Sequence, residues 1–261
     1  MLNSLILSDD YAFSAIQGEG PFMGHRAVFL RLAGCNLTCI GYKSEGAPYG
    51  CDTHDQWNVR HLMSFEELNT YFEMNGFIDN LRNGARLIIT GGEPFLQGEQ
   101  LAHWLTQLIE KYDLNNLNID FETNGTIPFD TFYNNFIQNN KKKVSINFIC
   151  CPKLSSNGDP LEKRYKPTIL KWLDNYNTAP SSLGLAAFKF VVNNEDDIKE
   201  IFENYIYPHH IQQKYCWLMP TAGSRDELIE RSPKVIEWCI KYNFNFSNRT
   251  HIMAFDRKLR V

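Results

Sequence analysis

Two rhythms of apolar residues alternate along the chain. Nearly unbroken apolar runs predict buried strands over 27–32 (AVFLRL), 86–90 (RLIIT), 117–122, 144–150, 187–192 and 215–219. Between them, apolar residues recur at helical spacing. Leu101, Trp104, Leu105, Leu108 and Ile109 mark one core-facing helix, and further helices are expected near 195–205 and 224–242. Ser64 with Glu67, and Ser224 with Glu227, each read as a capping box, in which two side chains satisfy each other's first-turn amides. Strands alternating with helices predict an α/β fold built on a mostly parallel sheet. No repeat, low-complexity stretch or linker breaks the pattern, so the chain reads as one domain over 1–261.

In such sheets, ligands gather at the C-terminal ends of the strands. Five polar or Gly-rich stretches fall there: the cysteine segment 34–53, TGGEP (90–94), ETNGT (122–126), CCPK (150–153) and MPTAG (219–223). They are expected to converge on one rim.

Composition narrows the picture only a little. With 43% apolar residues the chain can fill a sizeable core, and a net charge of −4 provides no basic field for nucleic acid. The run Lys141, Lys142, Lys143 reads as a solvated loop. No apolar run reaches membrane-spanning length, and the opening MLNSLILSDD lacks the pattern of a signal peptide. A cytoplasmic protein is expected, whose thiols stay reduced. That setting favours metal over disulfides.

Three of the seven cysteines lie in GCNLTCIGYKSEGAPYGCDT: Cys35, Cys39 and Cys51, separated by three and then eleven residues. With His54 they make a possible Cys3His zinc set. On an iron–sulfur cubane, three thiolates would leave one iron open for a small ligand. Spacing alone leaves both readings open. Cys150, Cys216 and Cys239 sit in apolar runs and read as core.

The neighbouring motifs carry a resemblance. The chain is similar to the radical S-adenosylmethionine (SAM) superfamily, and within it resembles the 7-carboxy-7-deazaguanine synthase family. IQGEGPFMGHRAVFLRLAGCNLTC, CDTHDQW, ITGGEPFLQ, FETNGT, FKFVV, LMP and the late His251 follow in that family's order over nearly the whole chain. One departure is plain: the family's third cysteine falls at Tyr42, and here it stands at Cys51, which makes 40–50 an insertion. The longer loop costs about 1.5 kcal/mol of closure entropy, small beside thiolate–metal binding. The insertion is expected to pack over one side of the cluster.

The resemblance implies an incomplete (β/α) barrel of the radical SAM type, a 4Fe-4S cluster on Cys35, Cys39 and Cys51, and SAM on the remaining iron. It implies SAM contacts from Gly92, Glu93, Glu122, Cys151, Pro152, Lys153, Met219, Pro220, Thr221 and Ala222. Gly91 and Gly92 would let backbone approach the SAM amino-acid moiety, and Glu93 would accept from its ammonium. Cys151 stands where the family has Ser, a stronger hydrogen-bond donor. The implied substrate is 6-carboxy-5,6,7,8-tetrahydropterin, held by Ile16, Gln17, Gly18, Arg31, Thr90 and His251. Arg31 would grip the substrate carboxylate through its planar fork, the alternative being solvent exposure at a strand end. His251 has a structural alternative, and Glu19 either meets the amino-pyrimidine face or sits in a turn. Thr53 would bind Mg²⁺. The product would be 7-carboxy-7-deazaguanine, with loss of ammonia. A flavodoxin-type electron donor and a homodimer complete the expectation, with no nucleic acid and no membrane partner. The rival readings are a glycyl-radical-enzyme activase, which acts on a protein, and a structural zinc module.

Overall fold

The computed structural model describes residues 3–43 and 50–258. Its strands form one sheet in the order β3-β1-β2-β4-β5-β6-β7-β8-β9. These are β1 (Ser4–Ile16), β2 (Arg26–Leu32), β3 (His61–Ser64), β4 (Arg86–Gly91), β5 (Leu117–Thr123), β6 (Val144–Cys150), β7 (Ala186–Val192), β8 (Cys216–Pro220) and β9 (Asn245–Phe246). β2 and β4 to β9 run parallel, while β1 is antiparallel to both β2 and β3. β3 and β9 are the two edges, so the sheet does not close, as expected for an incomplete barrel.

The strand positions read from the sequence agree to within a residue or two. β1 was not among them, because SDDY interrupts its apolar pattern; the register shifts between Leu7 and Ala12, where the strand bulges. Two other expectations change. Ser224 caps its helix by accepting from the Glu227 amide, but the Glu227 carboxylate accepts from Gly223 N–H at 2.7 Å, so the box is only half formed. The helix expected over 195–205 is α-helical only over Glu195–Glu200 and continues as a π-helical turn, Ile201–Ile206. The Ser64–Glu67 box is complete.

Pairing register sorts the strand residues into two faces. On one, Leu30, Leu87, Ile89, Ile119, Phe121, Ile146, Phe148, Phe188, Phe190 and Leu218 are fully buried and build one continuous core. The helices cover this face. Trp104 of the helix Gly98–Tyr112 meets Phe72 edge-on, and Phe95, Phe129, Phe132 and Trp172 pack around Phe121 and Phe148. Cys150, Cys216 and Cys239 are buried as expected.

The other face carries the sheet's charged and polar residues among apolar ones. Register aligns Arg31 with Thr90, Asp120 with Asn147, Glu122 with Ile149 and Lys189 with Trp217. Its lower layer is a closed network. Arg86 donates to both Asp120 oxygens, Asn147 donates to Asp120 at 2.8 Å, and the Phe22 ring lies 3.6 Å from the guanidinium. Buried charge of this kind persists only when paired, and here it floors the space above. Among the described residues no helix is long and apolar enough to cross a membrane.

Candidate active site

Above that floor lies a cavity of about 380 Å³, a size suited to small ligands. The strand ends and their following loops line it, as the rim motifs led us to expect. Ile16, Gln17, Gly18, Arg31, Cys35, Cys39, Cys51, Thr53, Thr90, Gly92, Glu122, Cys151, Lys153, Met219, Thr221, Ala222 and His251 all reach it. Glu93, Pro152 and Pro220 do not line it.

Glu93 is turned into the protein. It is fully buried, and its carboxylate accepts from Thr123 Oγ1 at 2.9 Å, Asn124 N–H at 2.7 Å and Phe95 N–H at 3.1 Å. Burial pushes its pKa up to about 7 against these donors. Its place is behind the wall, where it joins the end of β5 to the end of β4. The neighbouring glycines serve a close approach of backbone. A Cβ on Gly92 would stand 1.8 Å from Gly34 O, and Glu93 N–H donates to that carbonyl at 2.9 Å. Thus Gly91 and Gly92 seat the cysteine loop itself against β4.

That loop has a second anchor, which the sequence reading missed. The Asp159 carboxylate accepts from Thr38 N–H, from Thr38 Oγ1 at 2.9 Å and from Cys39 N–H at 2.9 Å. Cys39 takes a left-handed conformation, φ 50°, which this clamp holds in place. Burial pushes the Cys39 thiol up to about 12 and raises Cys35 as well. Of the insertion, Ile40–Tyr42 forms a short turn against the Ser155–Asn157 turn, with Gly41 directly on its backbone. Residues 44–49, where most of the expected cover over the cluster falls, lie outside the described residues. The buried Tyr42 hydroxyl has no hydrogen-bond partner among the described residues.

The far end of the cavity is a charge network. Lys189, 3% exposed, donates to Glu19 at 2.8 Å and Glu122 at 2.9 Å. Arg249 donates to Glu19 at 2.9 Å and to Asp52, beside Cys51. Gln17 donates to Glu122 at 3.1 Å. Burial would push Glu19 up, but Lys189 and Arg249 outweigh it and hold the carboxyl well below its usual range. Glu122, sharing the same ammonium, is instead raised by burial. Glu19 is therefore no mere turn residue. Lys189 and Arg249 gave no signal of their own in the sequence: one sits inside the apolar run FKFVV, the other in a loop.

Arg31 is not a solvent-exposed strand end. It lines the cavity with its guanidinium 5.2 Å from the Phe13 ring, and its buried Nε has no partner among the described residues. His251 lines the cavity too, with Nε2 3.9 Å from Glu19 and its ring against Gly18, where a Cβ would fall 2.3 Å from Nδ1.

No family model matches the chain. The 7-carboxy-7-deazaguanine synthase of Hyperthermus butylicus is 32% identical over 247 residues, covering 93% of this chain and 90% of that protein. The chain belongs to the 7-carboxy-7-deazaguanine synthase family. The 7-carboxy-7-deazaguanine synthases of Pyrobaculum aerophilum and Aquifex aeolicus are each 27% identical, over 93% and 94% of this chain and 92% of each relative. The crystal structure of QueE from Escherichia coli matches with a TM-score of 0.59 over 95% of both chains at 22% identity, a likeness of fold.

Family membership displaces the activase and zinc-module readings. The donor set agrees with it. Cys35, Cys39 and Cys51 are all free and all line the cavity. A cubane takes each thiolate on a different iron, and three free thiols lining one cavity supply that set. The synthase family's cluster therefore fits these three thiols.

Proposed function

We propose that this chain is a radical SAM lyase that converts 6-carboxy-5,6,7,8-tetrahydropterin to 7-carboxy-7-deazaguanine with loss of ammonia. It would act as one domain over 1–261, carrying 40–50 as an insertion. The observation that carries the reading is the pairing, in one cavity, of three free thiols with Arg31, whose buried Nε has no partner among the described residues. Cys35, Cys39 and Cys51 would hold a 4Fe-4S cluster, with Gly92, Glu122, Cys151, Lys153, Met219, Thr221 and Ala222 bordering the SAM position. When bound, cluster and SAM supply the 5′-deoxyadenosyl radical that starts the reaction.

The chain's own residues bind and orient the substrate. Arg31 offers one donor, Nε, already out of water, so a carboxylate arriving there gains a charge-assisted bond with less new desolvation than an exposed guanidinium would require. Gln17, Glu19, Glu122 and Thr90 stand beside it as polar contacts, and Lys189 and Arg249 keep Glu19 an acceptor. Arg31→Lys keeps the charge and loses the fork. We expect KM for the pterin to rise at least about tenfold, the scale of one charge-assisted bond, with iron content and SAM affinity unchanged. Loss of iron or of folded protein in that variant would instead make Arg31 structural.

Mg²⁺ belongs to the same reading. Thr53 lines the cavity next to Asp52, and a lone hydroxyl binds magnesium only when substrate oxygens and water complete the shell. Magnesium should accelerate product formation in the wild type and do so much less in Thr53→Ala. An equal response in both proteins would remove Thr53 from the metal site. A flavodoxin-type protein is the electron donor in this reading, and the enzyme is a homodimer. Exposed Ile229, Ile236 and Ile240 fall on one stripe of the helix Arg225–Tyr242 and support a self-association face.

A further inference from the structure

Each of the three thiols assigned to the cluster, Cys35, Cys39 and Cys51, has a side-chain N–H directed at its sulfur, and the donors come from three separate segments. Trp57 points indole Nε1 at Cys51 Sγ, 3.4 Å away. Asn157, fully buried, points Nδ2 at Cys39 Sγ at 3.5 Å. Asn124 Nδ2 stands 3.8 Å from Cys35 Sγ, whose nearer donor is the Leu37 amide at 3.5 Å.

The surrounding bonds fix these orientations. Asn157 Oδ1 already accepts from Asp159 N–H at 2.8 Å, so its NH2 group is the end that faces sulfur. Asn124 Oδ1 likewise accepts from Thr126 N–H at 2.9 Å and Thr126 Oγ1 at 2.6 Å. An indole nitrogen has no acceptor alternative. The Trp57 carbonyl in turn accepts from Gly34 N–H at 2.9 Å, which ties the donor to the loop of the first cysteine.

Two core thiols show the opposite polarity. Cys216 donates its S–H to Gln212 O at 3.7 Å, and Cys239 donates to Asn245 O at 3.4 Å. Two core thiols thus give hydrogen bonds to backbone, while Cys35, Cys39 and Cys51 receive N–H groups, as the neighbouring Cys151 does from Lys153 at 3.3 Å. Sulfur is a poor acceptor as a neutral thiol and a good one as a metal-bound thiolate.

We propose that Trp57 and Asn157, with Asn124 as a weaker third, are positioning residues that raise the reduction potential of the cluster held on these thiolates. The proposal rests on the cluster assignment above. Reduction adds negative charge to the cluster, so a donor on a ligating sulfur stabilises the reduced state more than the oxidised one.

The test uses full-length protein reconstituted anaerobically, with the midpoint potential read by EPR-monitored titration. Trp57→Phe keeps an aromatic ring and removes the donor along with the pyrrole half of the indole; Asn157→Leu removes the second. Each variant should keep its iron, and its reduced-to-oxidised ratio at a fixed potential should fall about tenfold, equivalent to about 59 mV for one electron. Trp238→Phe, which removes an indole N–H outside the cavity, should leave the potential unchanged. Cluster-loaded variants that titrate with the wild type would overturn the proposal. So would variants that lose iron while staying folded, since the donors would then be holding the loop and not tuning the cluster. A wild-type protein that takes up no cluster would overturn the cluster assignment itself, and the proposal with it.

Discussion

Alanine at Cys35, Cys39 or Cys51 should leave the protein folded, free of cluster and unable to cleave SAM. The wild type, reconstituted anaerobically, should carry about four iron per chain, as one cubane requires. Losing one of three thiolates removes an iron–sulfur bond that no neighbouring oxygen or nitrogen replaces in kind, so the effect is near-complete loss. The contrast lies with Cys216. It is fully buried and its S–H is directed at Gln212 O, so Cys216→Ala should cost roughly 1 kcal/mol of stability, on the scale of a small core truncation, and leave iron content and turnover intact. Iron analysis and SAM-cleavage assays on the four variants decide the matter. Full iron and activity in Cys51→Ala would place the third ligand elsewhere.

Lys189→Met should be the most destabilising single change in the cavity. Its ammonium is the shared partner of Glu19 and Glu122, and its removal leaves Glu19 to Arg249 alone and Glu122 with only the neutral Gln17 amide. Breaking a buried charge pair on one side costs about 3–5 kcal/mol, which in a chain of this size lowers Tm by roughly 10 °C. The sign with pH follows from the shifts. In the wild type Glu19 is held below its usual range, so its contribution is present above about pH 4.5 and is lost as pH falls through its folded value. In the variant Glu122, already raised by burial, loses its cationic partner and prefers its proton, so the penalty grows as pH rises. The Tm gap between the proteins should therefore be large at pH 8 and narrow toward pH 5. A gap independent of pH would mean that Lys189 acts through packing alone.

Much of the fold was legible because the helix-covered face of every central strand is uniformly apolar, from Leu30 through Phe121 to Leu218. The rim was legible because turn-forming and chemistry-bearing residues fall directly after those runs. What stayed hidden depends on contacts distant in sequence. Lys189 reads as an interruption in FKFVV until it is seen to meet Glu19, 170 residues away. Asp159 and Asn157 gave no signal in the sequence, and only the fold brings them against Thr38 and Cys39. Glu93 is the reverse case. Its motif marked the right strand end, but side-chain direction is set by three donors from Phe95, Thr123 and Asn124, which sequence spacing does not encode.

One incubation bears most directly on the proposed activity. Cluster-loaded protein is mixed anaerobically with SAM, dithionite, Mg²⁺ and 6-carboxy-5,6,7,8-tetrahydropterin, and the products are followed by mass spectrometry. The expected result is 7-carboxy-7-deazaguanine, lighter than the substrate by one ammonia, formed in many turnovers per SAM consumed. Protein that binds the cluster and cleaves SAM yet returns the pterin unchanged would contradict the account.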